Sequence, residues 1–227
     1  MKSINRRSLI TMPGIASATG GFQSLASTQD SKWDRTSPRE IIRARYFPNV
    51  ALTTHEGSKV RFYDDLIKDK IVTINFMYAD CEGVCPGITA NLVKVQRALG
   101  ERVGRDIFMY SITLKPEHDS PEVLKEYVQM HRVQPGWLFL TGAPQDLEAL
   151  RRKLGFTNPD PKLDADSSQH IGMLRYGNEP LQQWAACPGL ANPGWIVESI
   201  LWVDWPKARQ PKIEGARRPV DEKGERK

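Results

Sequence analysis

The stretch IVTINFMY, residues 71–78, constrains the fold more than any other part of the chain. It is a nearly continuous apolar run with β-branched residues, and a strand of that kind has to be covered on both faces. Directly behind it, Ile88, Leu92, Val95 and Leu99 form one apolar stripe of a helix that Gly100 stops, and Pro86 suits its first helical position. A buried strand feeding a helix is the repeating unit of an α/β layer, and the unit recurs. IFMYSITL (107–114) reads as a second buried strand, and Ser120-Pro121-Glu122 opens a helix through His131 with serine as its cap. WLFLTG is a third strand, Asp146 to Leu154 a third helix closed by Gly155, and IGMLRYG (171–177) a fourth strand. GWIVESILWVDW is a final amphipathic helix or strand. Upstream, VALTTHEGSKVRFYDDLI alternates around a glycine-containing turn at His55 to Ser58, a hairpin pattern. These elements predict an α/β domain: a central, mainly parallel sheet, helices on both faces, and an added N-terminal hairpin.

The formal charge of +5 raises the question of a nucleic-acid or membrane partner. Its distribution answers against nucleic acid. Residues 1–26 carry +3 and residues 206–227 carry +4, whereas 27–205 carry −2, so the folding part has no basic face of its own. The N-terminus reads as an export signal. Arg6-Arg7-Ser8-Leu9-Ile10 has a twin-arginine pattern, a weakly apolar stretch follows, and Ser24-Leu25-Ala26 offers a small-residue cleavage site. No run of about 20 apolar residues is present, so no segment spans a membrane as a helix. The expected organisation is a signal over 1–26, a polar linker over 27–46, a domain over 47–205 and a disordered charged tail over 206–227. Export to a periplasmic or equivalent compartment is one where disulfides persist, yet three cysteines are too few for a disulfide scaffold. An odd count points to chemistry.

Cys81 and Cys85 supply the candidate. They sit where the buried strand runs into a helix N-terminus, and the unpaired N–H groups and helix dipole there favour thiolate. Thiolate is both a nucleophile and a ligand for soft metals. A Cys-x-x-Cys pair favours disulfide exchange, but these two are a full helical turn apart, near the long end of the disulfide range if both lie on the helix. Two thiolates can instead close on one ion, and cuprous copper prefers soft sulfur. The alternative is a pair of inert buried cysteines. Against it, Asp80, Glu82, Gly83 and Gly87 read as a polar, exposed loop.

INFMYADCEGVCPGITANLVKVQRAL resembles the Sco/SenC family of copper proteins, and ITLKPEHDSPEVLKEYV and PGWLFLTG are similar to that family's segments in the same order. The resemblance implies a thioredoxin-like fold and a copper site, Cu+ or Cu2+, built from both cysteines and one distant histidine. It also implies delivery of copper to the dinuclear centre of cytochrome oxidase, on subunit II, or reduction of that centre's thiols. The histidine is expected roughly 85 residues after the second cysteine, where this chain has His170, so the implied ligands are Cys81, Cys85 and His170. His55, His118 and His131 read as ordinary.

Beyond the histidine the family pattern is a strand, an Asp-Pro-Gly type of turn and a second strand. HIGMLRYGNEPLQQWAACPGLANPGW lacks that turn and adds Trp184, Cys187 and a Gly/Pro-rich loop. Cys187 reads as a free buried thiol, a resolving partner for Cys81 or Cys85, or an extra ligand. Met173, three residues beyond His170, has the chemistry of a soft ligand, but strand alternation favours a core position. Two functions from different classes follow. One is a metallochaperone, not an enzyme in the turnover sense, handing copper to a receiving protein by ligand exchange. The other is a thiol–disulfide reductase, for which the same low-pKa thiol would serve. A peroxidase on the same fold would want a Thr-x-x-Cys pocket, and YADC has no threonine.

Overall fold

The computed structural model describes residues 37–165 and 172–204. His170, the signal over 1–26 and the tail over 206–227 therefore lie outside the described residues. In chain order the elements are α1 (Pro38–Tyr46), β1 (Ala51–Thr54), β2 (Lys59–Arg61), a π-helical turn (Phe62–Ile67), β3 (Ile71–Met77), α2 (Val84–Leu99), β4 (Ile107–Thr113), α3 (Pro121–Met130), β5 (Trp137–Gly142), α4 (Pro144–Lys153), α5 (Pro161–Ala165), β6 (Met173–Asn178), β7 (Gln183–Pro188) and α6 (Pro193–Trp202). Seven strands form one sheet in the order β2-β1-β5-β4-β3-β6-β7.

The sheet is mixed, which corrects the expectation of a mainly parallel one. β3, β4 and β5 are parallel, but the other four pairings are antiparallel. The physical reason lies in the connections. Helices return the chain between β3, β4 and β5, whereas tight turns join β1 to β2 and β6 to β7, and a hairpin can only be antiparallel.

Alternation along β3 divides the core into two layers. All seven of its residues are buried. Val72, Ile74 and Phe76 join one cluster, with Phe62, Ile67, Leu147 and Leu150 of the π-helical turn and α4. Met77 joins the other, with Ile88, Leu92, Val95 and Leu99 of α2, Leu124 and Tyr127 of α3, and Ile196, Val197, Ile200 and Leu201 of α6. Helices thus cover both faces, as the strand's composition demanded. Each of the four stripe residues of α2 stabilises the fold by about 1.5–3 kcal/mol through removal from water.

Two segments depart from the sequence expectation. Residues 27–46 were expected as linker, yet Pro38–Tyr46 is a helix with a capping box: Ser37 accepts from the Glu40 N–H at 3.2 Å and Glu40 accepts from the Ser37 N–H at 2.9 Å. It is tied to the body by Arg39, whose guanidinium donates to Glu179 in the β6–β7 turn (Nε to Oε1, 2.7 Å). Glu179, with a side chain only 1% exposed, also accepts from Tyr63 Oη (2.7 Å) and the Asp69 N–H (2.9 Å). Second, the stretch just beyond β6, to which the sequence assigned no element, is a strand. Gln183–Pro188 pairs antiparallel with β6, Cys187 opposite Leu174. A strand, turn and second strand are therefore kept, with Asn-Glu-Pro-Leu in place of an Asp-Pro-Gly turn. The final segment resolves to a helix, capped by Asn192, which accepts from the Gly194 N–H at 2.9 Å.

Candidate metal centre

β3 delivers the chain to Tyr78, a turn carries Ala79 to Gly83, and α2 begins at Val84. Cys85 is therefore in the first helical turn, Pro86 lies third in the helix rather than first, and Cys81 precedes the helix altogether. This changes the geometry expected from spacing alone. Cys81 folds back over the helix N-terminus, and its sulfur accepts from the Cys85 and Gly83 N–H groups, two donors that a helix end leaves without intrahelical partners. The Cys85 thiol and the Tyr78 hydroxyl also donate to it. The two sulfurs are thus brought into hydrogen-bonding contact.

The electrostatics of the pair are asymmetric. Burial works against ionisation of Cys81, but the Cys85 thiol and N–H, the Tyr78 hydroxyl and the Gly83 N–H outweigh it and hold the Cys81 pKa below the ordinary thiol value. Cys85 goes the other way. Burial, and donation of its proton to Cys81, push it up to about 12. The helix N-terminus thus favours thiolate at Cys81, as expected, and does not at Cys85. Both side chains are nearly enclosed, at 6% and 1% exposure, while Asp80, Glu82, Gly83 and Gly87 are exposed as the sequence suggested.

Three residues that sequence reasoning passed over hold this turn. Asp119, buried in the loop after β4, accepts from the Ala79 N–H at 3.1 Å and from the Thr113 hydroxyl. Burial raises its pKa, with those two donors pulling the other way. Lys115 pairs with Asp80 at 3.2 Å and lies 4.0 Å from the centre of the Tyr78 ring. The available signal was the polar PEHD loop itself: an acid one residue before a serine helix cap is well placed to turn inward.

The remaining sequence candidates separate cleanly. Cys187 is buried, unbridged, and pushed up to about 11 by burial, which fits the free-thiol reading. Met173 packs into the cluster on the face opposite the cysteines' cluster, as alternation required. His55 accepts from the Phe139 N–H at 3.2 Å and packs edge-on to that ring, and burial lowers its pKa. His131 caps α3 against Tyr127, and His118 is exposed. Among the described residues no three His, Cys, Asp or Glu side chains converge to hold a metal. A Cβ on Gly172 would lie 3.1 Å from Ile88 and 3.9 Å from Val84, so this glycine rests on the first turns of α2.

A mixed sheet flanked by helices, with paired thiols where its central strand meets a helix N-terminus, defines a thioredoxin-like protein built around a two-cysteine site. The chain belongs to the SCO1/SenC family, whose model matches residues 41–174. It is 25% identical to a protein of Stutzerimonas stutzeri named for copper binding, over 74% of this chain and 80% of that one. Against the SCO1 protein homolog of Bacillus subtilis it is 31% identical, but spans only 41% of that protein's length. Among solved structures it is similar to a SCO1/SenC family lipoprotein of Bacillus anthracis (TM-score 0.58, 24% identity, 68% of this chain and 92% of that). It is also similar to yeast Sco1 with copper bound (TM-score 0.55, 21% identity, 70% and 92%). These structural likenesses carry the fold. No helix among the described residues is long and apolar enough to cross a membrane.

Proposed function

We propose that this chain is an exported copper metallochaperone that holds one ion through Cys81, Cys85 and His170 and passes it to a cuproenzyme such as cytochrome oxidase subunit II. The observation that carries the reading is the convergence of the Cys81 and Cys85 sulfurs at the head of α2, with Gly172 lying against the same helical turn. Two residues of chain, at most about 7 Å when extended, separate Gly172 from His170. On that short tether, the reading takes His170 as the third ligand. Soft thiolates favour the reduced ion and imidazole accepts either state, so the set suits a cargo that must be held and then released. Copper named for a Stutzerimonas relative, and bound in the yeast neighbour, supports the identity of the ion.

The residues divide the work. Cys81 is the thiolate ready to bind, and Cys85 gives up its proton as the metal enters. Asp119 and Tyr78 fix the turn from behind. Release proceeds by exchange: an incoming donor from the recipient replaces one ligand at a time, with no net turnover by the chaperone. The test is anaerobic titration of reduced protein with Cu+ and Cu2+, following thiolate-to-copper charge transfer and stoichiometry. One tightly held copper, weakened by Cys85→Ser and by His170→Ala, is expected. No tight copper, with ready cycling of Cys81 and Cys85 to a disulfide, overturns it.

A second reading has its own observation. The Cys85 thiol donates to a stabilised Cys81 sulfur, the arrangement of a nucleophilic thiol with a resolving neighbour. A thiol–disulfide reductase keeping a target's copper-site cysteines reduced would use the same pair, with no need of His170.

A further inference from the structure

We propose that the outward face of α6, with the neighbouring face of α2, docks this protein on an anionic lipid surface. Nothing in this depends on the copper reading.

α6 buries Ile196, Val197, Ile200 and Leu201 and turns Trp195, Glu198 and Trp202 outward. Seven residues are nearly two helical turns, so both indoles leave the helix on one side. Trp195 is 49% and Trp202 74% exposed, whereas Trp137 is buried and Trp184 half-buried. An indole has a large apolar area and one N–H donor, and leaving two of them in water on one stripe forgoes the gain that buries the rest of α6. The helix beside them is α2, and the two run in the same direction. Asn91 of α2 donates to the carbonyls of Gly189 (2.9 Å) and Ala191 (2.7 Å), just ahead of α6. Arg102, past the end of α2, donates to Asp204 at 2.7 Å, just beyond α6. Both helices cover the sheet face that holds the cysteine cluster, so their outward rows form one surface.

Size argues against a second protein as the occupant. The two exposed indoles together offer about 200–300 Å2, against about 800 Å2 per partner in a stable interface. A bilayer sets no such minimum, and tryptophan settles there at the headgroup level with its N–H in the polar zone. Charge selects an anionic headgroup. On the helices, exposed Lys94 and Arg97 are offset by Glu101 and Glu198. From residue 206, however, the sequence has Lys207, Arg209 and Lys212 before its first acid, Glu214. Exposed aromatic side chains followed by a basic run are the combination that holds a peripheral protein on anionic lipid. The orientation also suits the site. α2 carries Cys85 in its first turn, so a bilayer against the α2–α6 face has the thiol pair in the layer next to it, not behind the sheet.

The full chain, reduced, is floated with vesicles of phosphatidylcholine alone or mixed with phosphatidylglycerol. Wild type is compared with the Trp195→Ser, Trp202→Ser double variant and with Glu198→Lys, with folding followed by circular dichroism. Wild type is expected to bind the mixed vesicles, to leave them as salt is raised, and to shift its tryptophan emission to the blue on binding. The double variant should bind at least about tenfold more weakly. Glu198→Lys should bind at least about fivefold more tightly, the factor for one basic charge near such a surface. Equal binding by wild type and the double variant overturns the proposal, because other parts of the chain then carry the binding. Failure of wild type to bind overturns it as well, and concentration-dependent dimerisation that the double variant loses would give the face to a second copy. If the double variant fails to fold, Glu198→Lys decides: unchanged binding overturns the proposal. Copper stoichiometry should be the same in all three proteins, so the lipid result and the copper result are read separately.

Discussion

Replacing Tyr78 by phenylalanine removes one oxygen and leaves the ring, so Lys115 keeps its place over the aromatic face and beside Asp80. What is lost is the hydroxyl's hydrogen bond to the Cys81 sulfur. With 6% of the Cys81 surface exposed, little water is available to replace that donor. A hydrogen bond to a charged acceptor contributes about 1.5–3 kcal/mol, so the ionisation constant of Cys81 should fall at least about tenfold. The other two thiols do not confuse the assay, since burial pushes Cys187 up to about 11 and Cys85 lies at about 12. In reduced, metal-free protein, the rate of alkylation by iodoacetamide between pH 4 and 9, a window set by those two values, therefore reports Cys81. The Tyr78→Phe profile should move to higher pH by the corresponding amount. Superimposable profiles would refute the claim that the tyrosine hydroxyl sustains the thiolate.

Asp119→Ala removes the acceptor that holds the part-buried Ala79 N–H and the buried Thr113 hydroxyl; a loss of about 1–3 kcal/mol in urea unfolding is expected, with copper held less tightly. Cys187→Ala should leave copper stoichiometry at its wild-type value, whereas Cys81→Ser and Cys85→Ser each weaken binding, as anaerobic titration will read. The Glu179 carboxylate is buried, which alone would raise its pKa, yet Arg39, the Asp69 N–H and Tyr63 outweigh burial and lower it. A folded-state pKa below the unfolded one means stability that is complete above the ordinary carboxylate range and is lost as pH falls through the folded value. Glu179→Gln should therefore flatten the acid side of the stability–pH curve measured by urea midpoint from pH 3 to 7. Asp119, raised by burial, acts with the opposite sign, so the contrast between the two variants checks the assignment. Leu92→Ala, at a fully buried position of α2, should cost about 2–5 kcal/mol in the same assay.

Much of the fold was legible because its central elements obey one rule each. The β3 run had to be buried on both faces, and it is. The Ile88, Leu92, Val95 and Leu99 stripe fixed the buried side of α2 in advance. What escaped depended on partners distant in sequence. α1 looked like linker because it buries no residue of its own and is tied down by Arg39 reaching Glu179, although Ser37-Pro38-Arg39-Glu40 carried a readable capping signal. β7 was given no element because QWAACP lacks an apolar alternation, and in the fold only Cys187 of its six residues is buried. Trp184, which the sequence showed only as an addition to the family pattern, lies across Gly177, where a Cβ would come within 2.2 Å of the indole, and against Phe47 at 4.6 Å. The cysteine pair was found from spacing and context. Its asymmetry was not, since it follows from Cys81 lying ahead of the helix and receiving N–H groups that an in-helix cysteine could not reach.

The β6–β7 hairpin has a second consequence, for the order in which the molecule can be completed. β3 is apolar on both faces, and β4 pairs with only one of its edges; β6 covers the other, with Ile71 opposite Asn178 and Ile74 opposite Arg175. Until residues past 173 arrive, that second edge shows a free row of backbone donors and acceptors beside a greasy strand, a template for pairing with another copy. The match to the family model ends at Leu174, just where this guard begins. A chain cut at that boundary would keep both cysteines and most of the family resemblance, and would be prone to stack strand against strand.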